Sequence, residues 1–472
     1  MKLCERGFNI PVLSDQSDLL THFKKYVGLT LKPDEIPIRF VVTQTEESHY
    51  HCEVGLVSGI QEDDKYNFSP LFEFNNRKVE NTEQFNVAML VPTGIGAEIG
   101  GDAGDAAPVA RMLSSQCDHL IIHPNVVNAS DINEMPDNCF YVEGSLLTRL
   151  LMGSIGLQKV RSNRVLLLLD EHEDAYFTDA AINSVSAART SLGLDCSVLK
   201  LDSAIQMKAT YSSSGRAIGE VEGIDNLLQL LATYSPDFDA IAINSVIDLT
   251  QGTPADYFHN NMVNPWGGVE ALLTHALSTA LNVPSAHSPM MENRETMNEE
   301  LGVVDPRKAA EAISLTFLHC ILKGLQRSPR IITDQSLLEL PHVISASDIS
   351  CIVIPDGCLG LPTLAALEQG IPVIAVKENR NNMRNDLTLL PFPKGKLFVV
   401  DNYLEAVGIM AAMKAGIAPE TVRRPLSFTT VVQESQLADM VTEYQQKKID
   451  EGKDKKITDL SLVRGSKVLK SC

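Results

Sequence analysis

The sequence contains no apolar run long enough to cross a bilayer. Stretches such as Val165–Leu169 and Ile371–Val376 are strand-sized, far short of the roughly 20 residues a spanning helix needs. It has no Cys-x-x-Cys pair either. Its nine cysteines are odd in number and scattered, which argues against a structural zinc site or a disulfide framework and points to a reduced compartment. No Gly-x-x-x-x-Gly-Lys-Ser/Thr motif occurs, so the chain is not a P-loop NTPase. Positive charge is scarce, with 40 Lys+Arg against 60 Asp+Glu and a net charge of −20. Such a field repels phosphate backbones and anionic membrane surfaces, so no DNA, RNA or membrane partner is expected. Met1–Arg6 shows no apolar segment and no small-residue cleavage site, and the sequence therefore predicts a cytoplasmic location.

What is present fits a folded α/β protein. The 472 residues, 44% of them hydrophobic, allow about three domains or two with elaborations. Short apolar runs alternate with helix-length amphipathic segments, as in βαβ units and mostly parallel, Rossmann-like sheets. Examples are Val87–Val91, Leu120–Ile122, Arg164–Asp170, Asp239–Asn244, Ser350–Pro355 and Ile371–Val376. The expected organisation is a small α+β N-terminal cap (1–82), an α/β unit with a glycine-rich loop (83–160), a central α/β domain (161–330), an α/β unit with a glycine-rich turn (331–400) and a helical, basic C-terminal extension (401–472). From Lys447 to Lys470 eight Lys/Arg face four Asp/Glu, which reads as a solvated tail or as an arm that docks on an acidic neighbouring subunit. A homo-oligomer is expected.

The strongest local feature is Val91–Ala106, with five glycines between a strand and a helix. Exposed amides and a helix N-terminus there predict an anion site holding a phosphate or carboxylate. Thr93, Gly94, Gly96, Gly100, Gly101 and Gly104 are its candidate binding residues. The spacing Gly-x-Gly-x-x-x-Gly, and His123 at the end of the next strand, depart from the dinucleotide fingerprint. The cofactor is therefore left unknown, and no metal ligands are assigned. Asp102, Asp105 and His123 are candidate acid/base groups, with Asn125 and Asn128 beside them at the carboxyl edge of the sheet, where α/β folds bind ligands. Glu270, after Trp266-Gly267-Gly268, and His287, in Ala286-His287-Ser288, are further acid/base candidates. His275, inside Leu272–Leu277, reads as a packing histidine. Gly360, before the helix Leu361–Gln369, and Lys377, at a strand's end, are candidate anion contacts. Cys358 reads as buried and inert.

Pro92–Ala106, His123-Pro124-Asn125, Tyr141-Val142-Glu143-Gly144 and Ala286-His287-Ser288-Pro289 together resemble an uncharacterised bacterial domain-of-unknown-function family, over about 83–380. That resemblance implies a shared site and no particular reaction. Gly360–Leu364 through Gly370–Ala375 is similar, over about 20 residues, to the donor-diphosphate helix of two-Rossmann-domain nucleotide-sugar glycosyltransferases, although Asp356–Gly360 departs from their usual Glu-Gly-x-Gly.

The leading expectation is an enzyme acting on a small anionic metabolite by acid/base chemistry, as an isomerase, lyase or transferase. The alternatives are a nucleotide-sugar-type glycosyltransferase and a non-catalytic metabolite sensor.

Overall fold

Strands buried on both faces must be apolar throughout, and the runs singled out above form two parallel sheets. The structure, a computed structural model, describes residues 1–433 except 14–17, 62–65, 67, 130, 134, 235–236, 261, 298–300, 315, 430 and 432. One sheet has six strands in the order Leu397–Val400, Val373–Val376, Ile349–Pro355, Asn86–Met89, His119–Ile122, Cys139–Tyr141, all parallel. The other has four, Asp195–Lys200, Arg164–Leu169, Ala240–Val246 and Ser285–Met290, also all parallel. The expected α/β class with Rossmann-like parallel sheets is the observed one.

A third sheet of seven strands is mostly antiparallel and takes Lys2–Pro11, His49–Ser58 and Glu35–Thr45 into its middle. Ala217–Glu222 extends it on one side and Leu359–Gly360 on the other. Segments expected to stand apart thus share sheets: the first 82 residues are continued by strands from the central and later segments, and 83–160 and 331–400 build one six-stranded sheet. The physical reason is that an apolar run announces a strand but not its partner, while closing even a long loop costs only slightly more than closing a short one.

The chain divides into Met1–Gly416 and a second unit from Ile417, whose described part carries one 3₁₀ turn, Pro419–Val422. The extension is helical over Tyr403–Lys414. The basic stretch 447–470 lies outside the described residues.

Helix Gly267–Leu281 sets the geometry that matters for function. It packs on strand Ala217–Glu222, strand Ser285–Met290 and helix Gly144–Leu151. The glycine pair at its start permits the approach: a Cβ on Gly268 would lie 2.2 Å from the Ala217 carbonyl oxygen, and one on Gly267 2.5 Å from Thr93 Cγ2. Asn264 Oδ1 accepts from the Trp266 and Gly267 amides and fixes the first turn.

Candidate functional site

The glycine-rich loop is a structural hub. Gly94, Gly96, Gly100 and Gly104 all have left-handed backbone, with φ of 79°, 64°, 85° and 82°, a region open to glycine at little cost. Several amides offered by the sequence for an anion already have protein acceptors. Glu98 N–H donates to the Arg380 carbonyl, Ile99 N–H to Asn379 Oδ1 and Gly100 N–H to Asp105 Oδ1. Across the sheets, Ala217 N–H donates to Gly94 O and Arg39 Nη2 to Thr93 O. Of the anion cradle expected over 93–105, the amides of 98–100 are therefore closed by the fold's own hydrogen bonds.

Beside this loop, at the carboxyl ends of both parallel sheets, lies a cavity of about 1270 Å³. Thr93, Gly94, Gly101, His123, Asn125, Asn128, Glu270 and His287 all line it. Residues from four separate candidate stretches thus meet at one place, as the switch-edge rule for α/β sheets requires. Gly96, Gly100, Gly104, Asp102 and Asp105 do not line it; they stand behind the loop and support it. Gly360 faces a second, smaller cavity. Lys377 is turned to the surface, where it pairs with Asp401 at 3.1 Å, because its strand lies toward the far edge of the six-stranded sheet.

Two glutamate–histidine pairs open onto the large cavity. His287 Nδ1 lies 2.9 Å from Glu270 Oε1, and His287 Nε2 lies 2.8 Å from Ser245 Oγ. Ser245 Oγ also reaches Met207 Sδ at 3.0 Å. When that hydroxyl donates to the thioether, Nε2–H must donate to Oγ, and one proton is left to share between Nδ1 and Glu270. Ser245 is fully buried and does not line the cavity. The end of this hydrogen-bonded chain most open to the cavity is therefore Glu270, whose side chain keeps 25% of its exposure.

The second pair, His275 Nδ1 and Glu143 Oε1 at 2.5 Å, escaped the sequence reading. Glu143 caps helix Gly144–Leu151 by accepting from the Ser145 and Leu146 amides. Burial opposes its charge, yet His275 and those donors outweigh burial and hold its carboxyl below the ordinary value. Gly144 is required here, since a Cβ would lie 2.9 Å from His275 Cε1. His275 is consequently part of the cavity wall, to which the same helix also gives Glu270, Ala271 and Thr274.

His123 behaves differently. Its Nε2 accepts from the Val91 amide at 3.0 Å, and burial pushes its pKa down to about 4. It is a neutral imidazole with Nδ1 protonated, suited to donating one hydrogen bond and not to taking a proton. The acid/base role expected of it does not suit this environment.

Behind the loop lies an acidic cluster. Tyr257 Oη donates to Asp102 Oδ1 at 2.7 Å, and Asn264 Nδ2 donates to Glu311 Oε1 at 3.0 Å. Glu311 Oε2 and Asp105 Oδ2 are buried without a partner. Burial raises both carboxyls to about 7. A carboxyl raised in the folded state stabilises the fold below its unfolded pKa and loses that contribution as pH rises through the folded value. Stability is therefore expected to fall between about pH 4.5 and 7. Glu311→Gln should remove a share of that slope, on the order of 1–3 kcal/mol at pH 8, and Asp105→Asn a further share. Urea unfolding at pH 5 and pH 8 checks this: equal pH slopes in wild type and Glu311→Gln would contradict the assignment.

Among the described residues, no Lys or Arg lines the large cavity, while Glu143, Asp248, Glu270, Glu292, Glu295 and Glu311 do. The anion expected at the glycine loop would meet carboxylates there. Apolar surface is supplied by Trp266, Phe258, Met290, Met291 and Phe317. Also among the described residues, no three His, Cys, Asp or Glu side chains converge as a metal-ligating set. Burial pushes the Cys358 thiol up.

Residues 86–423 match the family described as "Protein of unknown function (DUF3326)". An uncharacterised lipoprotein of Synechococcus sp. is 35% identical over 338 residues, covering 70% of this chain and 91% of the relative. No solved structure matches. The relative's name overturns the cytoplasmic expectation. The sequence argument for it rested on the lack of a long apolar run and of a leader-like N-terminus, whereas a covalently attached lipid anchors a protein with no spanning segment.

Proposed function

Because the chain belongs to this family of unknown function, matched over 86–423, we propose its activity from the site itself: acid/base catalysis on a small metabolite held in the cavity between the two parallel sheets. The observation that carries this reading is the convergence of two Glu–His pairs on one cavity, one anchored through Glu270 and the other through His275 of the same helix. Proton removal and return need two groups of matched basicity within reach of one bound molecule.

In this reading Glu270 is the base. His287, held by Ser245 on its far side, takes up or returns the shared proton, so that Glu270 cycles between carboxylate and acid without losing its position. His275, oriented by Glu143, handles the second proton. His123 Nδ1–H and Asn125 Oδ1, whose Nδ2 is held by the Val91 and Gly100 carbonyls, orient the ligand. This fits isomerisation or elimination at a carbon bearing an acidic proton. The part of the ligand lying in the acidic cavity is uncharged or cationic, since carboxylates dominate its polar wall.

Equilibrium dialysis of the protein against a metabolite extract, read by mass spectrometry, tests the binding half of the proposal. A metabolite retained by wild type and lost from Ala312→Trp, which places an indole in the cavity, supports it. No retention, or retention that the substitution leaves unchanged, overturns it.

A further inference from the structure

A second cavity, of about 130 Å³, shares Thr93, His123, Gly144, Ala271 and His275 with the first as lining residues and is walled by three arginines, Arg39, Arg149 and Arg216. Burying a guanidinium is costly unless a carboxylate and hydrogen bonds compensate it. Arg216 meets that condition through Glu5 at 2.9 Å and Glu53 at 2.6 Å, and Arg39 through Glu5 at 3.5 Å. Arg149 does not. It is 9% exposed, its Nε and Nη1 have no hydrogen-bond partner, and no carboxylate lies at ion-pair distance among the described residues. The carboxylates that act on it do so beyond ion-pair distance, Glu73 ahead of Glu143, and Glu143 is already engaged by His275. A further guanidinium nitrogen on the same wall, Arg216 Nη1, is also unpartnered.

The start of helix Leu361–Gln369 completes this wall. Gly360 caps that helix with no side-chain acceptor for its first-turn amides, so the positive end of the helix dipole faces the cavity uncompensated. The volume is about four times a water molecule's share of the liquid, room for a phosphate or a carboxylate on a short stem. Such a group would accept from the Arg149 fork in the bidentate geometry guanidinium favours.

We infer that this cavity is an anion subsite, in which Arg149 holds a phosphate or carboxylate group of the ligand whose uncharged or cationic body occupies the acidic cavity. The inference rests on the proposed function for the body of the ligand and adds its charged end. The substrate class becomes bipolar. The anionic metabolite expected from sequence keeps its charge, but binds it at arginines around Gly360 and not at the glycine-loop amides.

The test uses inorganic phosphate and acetate as probes, with chloride at equal ionic strength as reference, on wild type, Arg149→Gln, Arg149→Lys and Glu270→Gln. Thermal melting and isothermal titration should show saturable binding of one probe to wild type. Arg149→Gln should weaken it at least tenfold, Arg149→Lys less, and Glu270→Gln not at all. The stronger probe names the group. The unliganded Arg149→Gln protein should melt at or above wild type, because an uncompensated buried charge has been removed. No saturable binding beyond chloride, or binding that survives Arg149→Gln undiminished, overturns the subsite. Arg149-dependent anion binding without any proton exchange in the bound metabolite supports the subsite while the catalytic reading alone fails.

Discussion

Glu270→Gln is expected to keep the ligand bound while slowing proton exchange at its reactive carbon by about 10²–10⁴-fold, the usual contribution of a positioned general base. The amide has nearly the same shape, and its Nε2–H can donate to the unprotonated His287 Nδ1, so the 2.9 Å contact survives. Basicity is lost, not geometry. Ligand affinity is read by titration and exchange by the mass of the recovered metabolite. A variant that loses binding and exchange together would make Glu270 a binding residue. One that loses neither would remove it from the mechanism.

The second large effect concerns stability. Arg216 is 1% exposed and neutralises Glu5 and Glu53, themselves 1% and 7% exposed. Arg216→Ala strands two buried carboxylates with only Arg39 nearby, and the loss is expected to be about 3–5 kcal/mol, the range for breaking a buried pair from one side. Because Ala217 N–H donates to Gly94 O and Arg39 donates to Thr93 O, the same substitution should loosen the turn at 93–94 that walls the cavity. The combination Arg216→Met, Arg39→Met, Glu5→Gln and Glu53→Gln removes all four charges of the network and should recover most of the stability, since such networks are often replaceable by uncharged packing. Urea unfolding of both variants gives the comparison. A single-variant loss under about 1 kcal/mol would show that water already compensates these carboxylates.

Which features were legible in the sequence follows from what each needs to be recognised. A strand of a parallel sheet is buried on both faces, so runs such as Val165–Leu169 declare themselves, and helix Leu361–Gln369 was bounded correctly by Gly360 before it and Gly370 after it. Glu270 and His287 were identified singly, from glycines at a helix start and from a histidine in a short strand. Their pairing was invisible, because it depends on the packing of helix Gly267–Leu281 against strand Ser285–Met290. His275 sits in an apolar run and looks like core; only its i,i+4 register with Ala271 places it toward the cavity wall. Glu143 stood in a stretch noted for resemblance alone, although an acid directly before Gly-Ser at a helix start is itself a capping signal. Arg149 and Arg216 carry no motif, since an arginine declares its burial only through its tertiary neighbours. The glycine loop shows the opposite failure. Its density suggested a ligand, and the fold spends much of it on tight turns and on contacts that join two sheets.

The central claim is that a metabolite in the large cavity exchanges a carbon-bound proton with the protein. Incubation of wild-type protein with its dialysis-retained metabolite in deuterium oxide, followed by mass spectrometry, measures this directly. The account predicts one deuterium fixed at carbon. A metabolite recovered from the cavity with its carbon-bound protons unchanged would contradict it and would leave a binding protein in place of an enzyme.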